Sequence, residues 1–182
     1  MKSLDILNAY LQDDKGILTE EQKQTYIDIA TKVVLLALPV YKVEEIAVDE
    51  GTGIAPLPSE WDSEISFIDS IFDAEGENYE WKIIQTTEGS FISLNISQVS
   101  PPVYCRYSYK PAILGEMHNY LIGVYASYLA LQQVANYYIQ TIDPTITADS
   151  VNYRNKAEIC ERRAEAVLQV YEKVLSQVRE YL

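Results

Sequence analysis

A chain of 182 residues with 48% hydrophobic content can bury a sizeable core, and ordinary domain sizes make one domain the expectation. Its formal net charge of −13 is concentrated ahead of the last third; with no basic patch in view, that sign excludes wrapping or sequence-reading of nucleic acid. No run reaches the roughly 18 apolar residues of a membrane span, and the opening Met1-Lys2-Ser3-Leu4-Asp5 lacks the apolar stretch of a signal peptide.

Leu4, Leu7, Ala9, Tyr10 and Leu11 predict a short first helix that stops near Gly16. A stronger one follows. Thr19 is a good N-cap, Glu20 and Glu21 meet the positive end of the helix dipole, and Gln22 stands at the third helical position of a capping box. Tyr26, Ile27, Ala30, Val33, Val34 and Ala37 form its apolar stripe until Pro39 ends it.

Residues 42–110 read as short antiparallel strands, four or five in number. Lys42 to Val48 leads to a turn at Gly51-Thr52-Gly53, and Leu57-Pro58-Ser59-Glu60-Trp61 follows as an ordered loop, with Trp61 as an anchor. Ile65, Phe67 and Ile71 alternate with polar residues, as do Trp81 and Ile83, then Phe91 and Ile92 with Leu94 and Ile96, and last Val103, Cys105, Tyr107 and Tyr109. Thr87-Glu88-Gly89-Ser90 marks a hairpin. So small a sheet needs a cover, so one apolar face is expected to pack on helices.

The last third carries two long helices. Ile113, Leu114, Met117, Tyr120, Leu121, Val124, Tyr125, Tyr128, Leu131, Val134, Ala135 and Tyr138 recur at helical spacing over a wide apolar face, predicting a helix from about Pro111 to Tyr138. In the second, Tyr153, Ala157, Cys160, Ala164, Val167, Tyr171, Val174 and Val178 alternate four and three apart, one packed seam in a helix running from about Asp149 to Glu180 and capped by Asp149. A connection of about ten residues makes the pair antiparallel. Arg162 and Arg163, flanked by Glu158, Glu161 and Glu165, read as a solvated face. The fold class is therefore α+β, predominantly helical: N-terminal helices (1–41), a small antiparallel β region (42–110) and a long antiparallel C-terminal helical hairpin (111–182), in a single domain.

Chemistry is sparse. The single histidine, His118, falls on the first hairpin helix with no nucleophile at a triad-like spacing, and no zinc pattern accompanies Cys105 and Cys160, which read as packing residues. The run Asp69, Asp73, Glu75, Gly76, Glu77, Asn78 lacks the order of a calcium loop and reads as a solvated turn. No catalytic residue, metal site or cofactor is expected, and the chain is not expected to be an enzyme. Its oddity is tyrosine, 15 residues against 3 Phe and 2 Trp, which reads first as core whose hydroxyl tips reach polar partners and, as the sharper alternative, as a subunit interface. Tyr137 and Tyr138, together with Leu57 and Trp61, are the candidate interface residues.

The order of features, a helix closed by proline, a β region with Leu57-Pro58-Ser59-Glu60-Trp61 and Ser66-Phe67-Ile68, a strand ending Val103-Tyr104-Cys105-Arg106-Tyr107, then two long helices around Asp143-Pro144-Thr145-Ile146-Thr147-Ala148-Asp149-Ser150-Val151-Asn152-Tyr153-Arg154, resembles the head-tail adaptor (connector) proteins of tailed bacteriophages. The resemblance covers most of the chain. It implies a virion structural protein of the neck, ring-forming and commonly of twelve copies, that docks under the portal protein, extends the DNA channel and meets tail or neck proteins. DNA would pass without specific binding: twelve copies bring on the order of 150 negative charges to the channel. The residues alone leave a second reading open, a small regulatory or ligand-binding α+β module without catalysis.

Overall fold

The computed structural model describes residues 2–12, 16–95, 101–141 and 147–180, with the side chains of the last helix described from Asn152 onward. The chain is α+β: the described residues form two N-terminal helices, six strands in two antiparallel three-stranded sheets, and a C-terminal helical hairpin. It divides into two compact units: the strands lie in Pro39–Ala112, and the four helices form the other. No helix among the described residues is long and apolar enough to cross a membrane.

In the helical unit, α1 spans Ser3–Leu11 and α2 spans Glu20–Ala37. The start of α2 follows from its capping box: the Thr19 hydroxyl accepts the Gln22 N–H at 3.2 Å, and the Gln22 side chain accepts the Thr19 N–H at 2.9 Å. Two orphan donors are thereby satisfied at once, worth about 1 kcal/mol. The helix ends ahead of Pro39, with Leu38 as its C-cap.

The hairpin is α3 (Glu116–Gln140) and α4 (Thr147–Glu180), in contact along their lengths. Helix α3 begins five residues later than Pro111, the expected start, with Gly115 as N-cap. Ile113 therefore stands outside it, 89% exposed, and Met117 in its first turn is 45% exposed, so neither belongs to the buried face. The rest of the expected face holds: Leu121, Val124, Leu131, Val134, Ala135 and Tyr138 are buried. On α4, Ala157, Cys160, Ala164, Val167 and Tyr171 are buried, and Tyr153, Val174 and Val178 pack at the margin, so the four-and-three seam is the contact line. Helix α4 starts two residues before Asp149, which places that residue inside the first turn; its side chain, like the connection 142–146, lies outside the described residues.

Helix α1 crosses α3 at very close range. A Cβ on Gly123 would lie 2.6 Å from Ile6 Cβ and 2.8 Å from the Ser3 carbonyl oxygen, so only glycine permits this approach. The Ser3 hydroxyl donates to Asn119 Oδ1 at 3.1 Å and ties the same crossing laterally.

Arg163 corrects the solvated-face reading of the arginine pair. Arg162 does sit in solvent, 3.3 Å from Glu158, but Arg163 turns inward and donates to the Tyr10 and Leu11 carbonyls and to the Gln12 side chain. Further along α4, Arg179 Nε and Nη2 donate to the Ala37 carbonyl at 3.2 and 2.9 Å. His118 Nε2 lies 3.0 Å from the next carbonyl, that of Leu38. Cations of α4 thus meet the unpaired carbonyls and negative dipole ends of α1 and α2, each contact worth about 0.3–1 kcal/mol. Spacing along α4 could not reveal this, because the carbonyls belong to other helices.

The β unit contains β1 (Val40–Ile46), β2 (Ile54–Pro56), β3 (Ile68–Asp73), β4 (Trp81–Thr86), β5 (Gly89–Leu94) and β6 (Val103–Tyr109). One small sheet of four or five strands was the expectation; six strands form two sheets, ordered β1-β6-β3 and β2-β5-β4. The β4–β5 hairpin turns through Thr87 and Glu88, with Thr86 paired to Gly89, whose φ of 135° suits glycine. Ile96 lies outside the described residues.

The β unit has a core of its own: Ile46, Ala55, Ile68, Ile71, Ile92, Leu94, Val103, Cys105 and Tyr107 form one buried cluster drawing on both sheets. The predicted alternation Ile65, Phe67, Ile71 fails. Strand β3 starts only at Ile68, and a register shift between Ile68 and Ser70 lets Ile68 and Ile71, three apart, face the same core while Phe67 stays 38% exposed.

Candidate interaction surface

The Leu57-Pro58-Ser59-Glu60-Trp61 element is held to β1 and β6 by one carboxylate. Glu44 accepts the Ser59 N–H at 3.0 Å and its hydroxyl at 2.8 Å, and the Tyr107 hydroxyl donates to Glu44 Oε2 at 3.0 Å. Lys42 reaches Glu60 at 2.6 Å and Glu44 at 3.7 Å. Burial pushes the Glu44 carboxyl up, but the Ser59 donors, Tyr107 and Lys42 together outweigh it and hold the group below the usual carboxylate range. Tyr107, fully buried, is pushed up to about 12 by burial and by its bond to that carboxylate. Leu57 and Trp61 are half-buried against the β core, Trp61 with its ring 6.5 Å from that of Tyr107. The element serves as an anchored strap.

The other two candidate interface residues stand on α3: Tyr138 is buried in the helical core, whereas Tyr137 is 45% exposed, with their rings 5.8 Å apart. Tyr138 also approaches Tyr153 of α4 at 6.0 Å, so this pair belongs to the packing of the hairpin's far end. Other tyrosines of the helical unit resolve in the same way: Tyr10 meets Tyr120 hydroxyl to hydroxyl at 3.3 Å, and Tyr125 contacts Tyr128 and Tyr171.

A more extended exposed feature lies on the sheet β1-β6-β3. Register places Tyr41, Val43 and Glu45 of β1 beside Ser108, Arg106 and Tyr104 of β6, and Ser70 and Phe72 of β3 beside Arg106 and Tyr104. This is the face opposite Ile71, Val103, Cys105 and Tyr107. Phe72 stacks on Tyr104 at 5.9 Å, Arg106 lies 4.6 Å over the Tyr41 ring while pairing with Asp69 at 3.5 Å, and Phe67 meets Tyr41 edge-on at 6.0 Å. Val43 is 52% exposed and the Arg106 side chain 47%. Tyrosine, phenylalanine and arginine on a rigid, partly dry platform is the composition of interface centres.

Sequence reasoning missed Tyr41, Phe72, Tyr104 and Arg106. It followed only the apolar parity of 103–109; the signal lay in the other parity, where Tyr104 and Arg106 alternate with the core residues. The platform is unsuited to nucleic acid, since Pro39–Ala112 holds four basic residues against thirteen acidic ones.

Asp73 Oδ1 accepts the Glu77 and Glu75 N–H groups at 2.9 Å each, which holds its carboxyl below the usual range and makes the acidic run a turn. Asp49 does the same at Gly51-Thr52-Gly53, held low first by the Thr52 hydroxyl. Among the described residues no three His, Cys, Asp or Glu side chains converge to hold a metal ion. The Cys105 thiol is pushed up to about 12 by burial. An open groove of about 660 Å³ lies along Ile6, Glu116, Met117, Tyr120 and Val174 of the helical unit. No family model and no curated protein matches this chain.

Proposed function

We propose that this chain is a virion structural protein, a head-tail adaptor that assembles head-to-tail into a ring beneath a phage portal and extends the DNA channel toward the tail. The observation that carries the reading is the partly exposed aromatic face of β1-β6-β3, on a unit that already has its own core. A residual apolar platform with a central arginine is costly to leave in water and suits a lateral contact between copies. Two further features support the reading: the order of elements that resembles the adaptors, and the long hairpin, whose seam supplies a rigid strut. The acidity fits a passage that DNA traverses without sticking.

The test is electron microscopy and mass determination of the protein alone and mixed with a phage portal protein. Rings on the portal are the expected result. Arg106→Ala and Phe67→Ala should weaken assembly about tenfold or more while leaving the fold intact. A protein that ignores the portal and stays monomeric at every concentration would remove this reading and favour a ligand-binding module, for which the groove beside Met117 is the place to look.

A further inference from the structure

Sheet edges left open are a hazard that proteins blunt with proline, bulges, short strands or a covering segment. Two of the four edges here are blunted in that way. Strand β2 has three residues and ends in Pro56; β3 carries the register shift and is covered beyond it by Asn78, with the Tyr79 N–H bonded to the Ile71 carbonyl at 2.7 Å. Among the described residues, strands β1 and β4 carry no proline, bulge or covering strand, and only their charged residues, Lys42, Glu44 and Glu45 on β1 and Lys82 on β4, guard them. Each runs six or seven residues in unbroken register with its one neighbour.

From this asymmetry we infer that β4 of one copy adds antiparallel to β1 of the next, joining the sheets of neighbouring subunits; the inference rests on the ring reading and adds an edge contact beside the one through the aromatic face. Register selects itself by charge. Setting Lys82 opposite Glu45 places Ile84 opposite the exposed Val43 and Trp81 opposite Ile46. The faces agree as well. Trp81 and Ile83, 36% and 40% exposed, share the side of their partners Leu94 and Ile92, which is the core side of sheet β2-β5-β4; Ile46 is on the core side of β1-β6-β3. A shift by one residue would set core side against outer side. A two-fold pairing of β4 with β4, or of β1 with β1, would leave the other kind of edge open, whereas head-to-tail pairing covers both and is the kind of contact a ring is built from.

The experiment uses the full chain in single-cysteine additions, Lys82→Cys and Glu45→Cys, oxidised with diamide separately, mixed, and combined in one chain, with ring formation followed by electron microscopy. The native Cys105 and Cys160 are buried and serve as the background. Opposed strand positions bring Cβ atoms within about 4.5–5.5 Å, close enough to bridge with small movement. Expected are a disulfide-linked dimer only in the mixture and a ladder of multimers in the doubly substituted chain. Lys82→Glu should weaken association about tenfold, and adding Glu45→Lys should restore it. Rings without the mixed dimer would overturn strand addition and leave the ring reading standing. Strong self-linking of Trp81→Cys or Val43→Cys would overturn it in favour of a two-fold pair. A mixed dimer without rings would uphold the strand contact and sink the ring.

Discussion

Replacing Gly123 with alanine sets two effects of opposite sign against each other. In a helix interior the change ordinarily stabilises by about 0.8–1 kcal/mol, because alanine has less backbone freedom to lose. Here the added Cβ meets Ile6 Cβ at 2.6 Å, Ile6 Cγ2 at 2.8 Å and the Ser3 carbonyl oxygen at 2.8 Å. A rotamer change at Ile6 relieves only the second of these. Backbone and Cβ atoms can retreat only if α1 moves as a body, which strains the Ser3–Asn119 bond and the packing of Ile6 and Leu7. Overpacking of this kind costs about 1–3 kcal/mol and more when the backbone must shift. Sterics should win, leaving a net loss of up to roughly 2 kcal/mol. Urea unfolding followed by far-ultraviolet circular dichroism reads the helical unit, and a lower midpoint at unchanged slope is expected. A midpoint equal to or above that of the parent protein would refute the close crossing of α1 and α3.

Three other perturbations probe separate parts. Val167→Asp or Tyr171→Asp puts a carboxylate into the hairpin seam, where both residues are 6% exposed, and should cost about 3 kcal/mol or more in thermal or urea unfolding; an unchanged midpoint would mean the seam is misplaced. Trp61→Ala removes a half-buried ring from beside Tyr107, so a loss of roughly 2 kcal/mol is expected in tryptophan-independent unfolding of the β unit, less than for a fully buried tryptophan. Tyr107 keeps its proton in the fold up to about 12 against an ordinary 10.0, so above pH 10 the folded state binds more protons and stability falls as pH climbs through that window. Tyr107→Phe should flatten that alkaline loss in the β unit relative to the parent, and unchanged steepness in a pH series of unfolding midpoints would count against the buried hydroxyl.

The sequence by itself determined the features that repeat along a single element. Thr19 and Gln22 meet because three helical residues bring their groups together, whatever surrounds them. The α4 seam and the buried parity of 103–109 were legible because helix and strand turn at constant angles, so one apolar face implies regular spacing. Tertiary structure decided what depends on a second element. The shift at Ile68 and Ser70 is imposed by pairing with β6 and breaks the period that alternation assumes. Splitting into two sheets depends on β6 entering between β1 and β3 from far along the chain. Arg163 and Arg162 are neighbours in sequence, yet one helical step of about 100° sends the first to the carbonyl end of α1 and leaves the second in water. The aromatic platform of Tyr41, Phe72, Tyr104 and Arg106 is likewise a cross-strand object: its residues come from three strands, and only register sets them side by side.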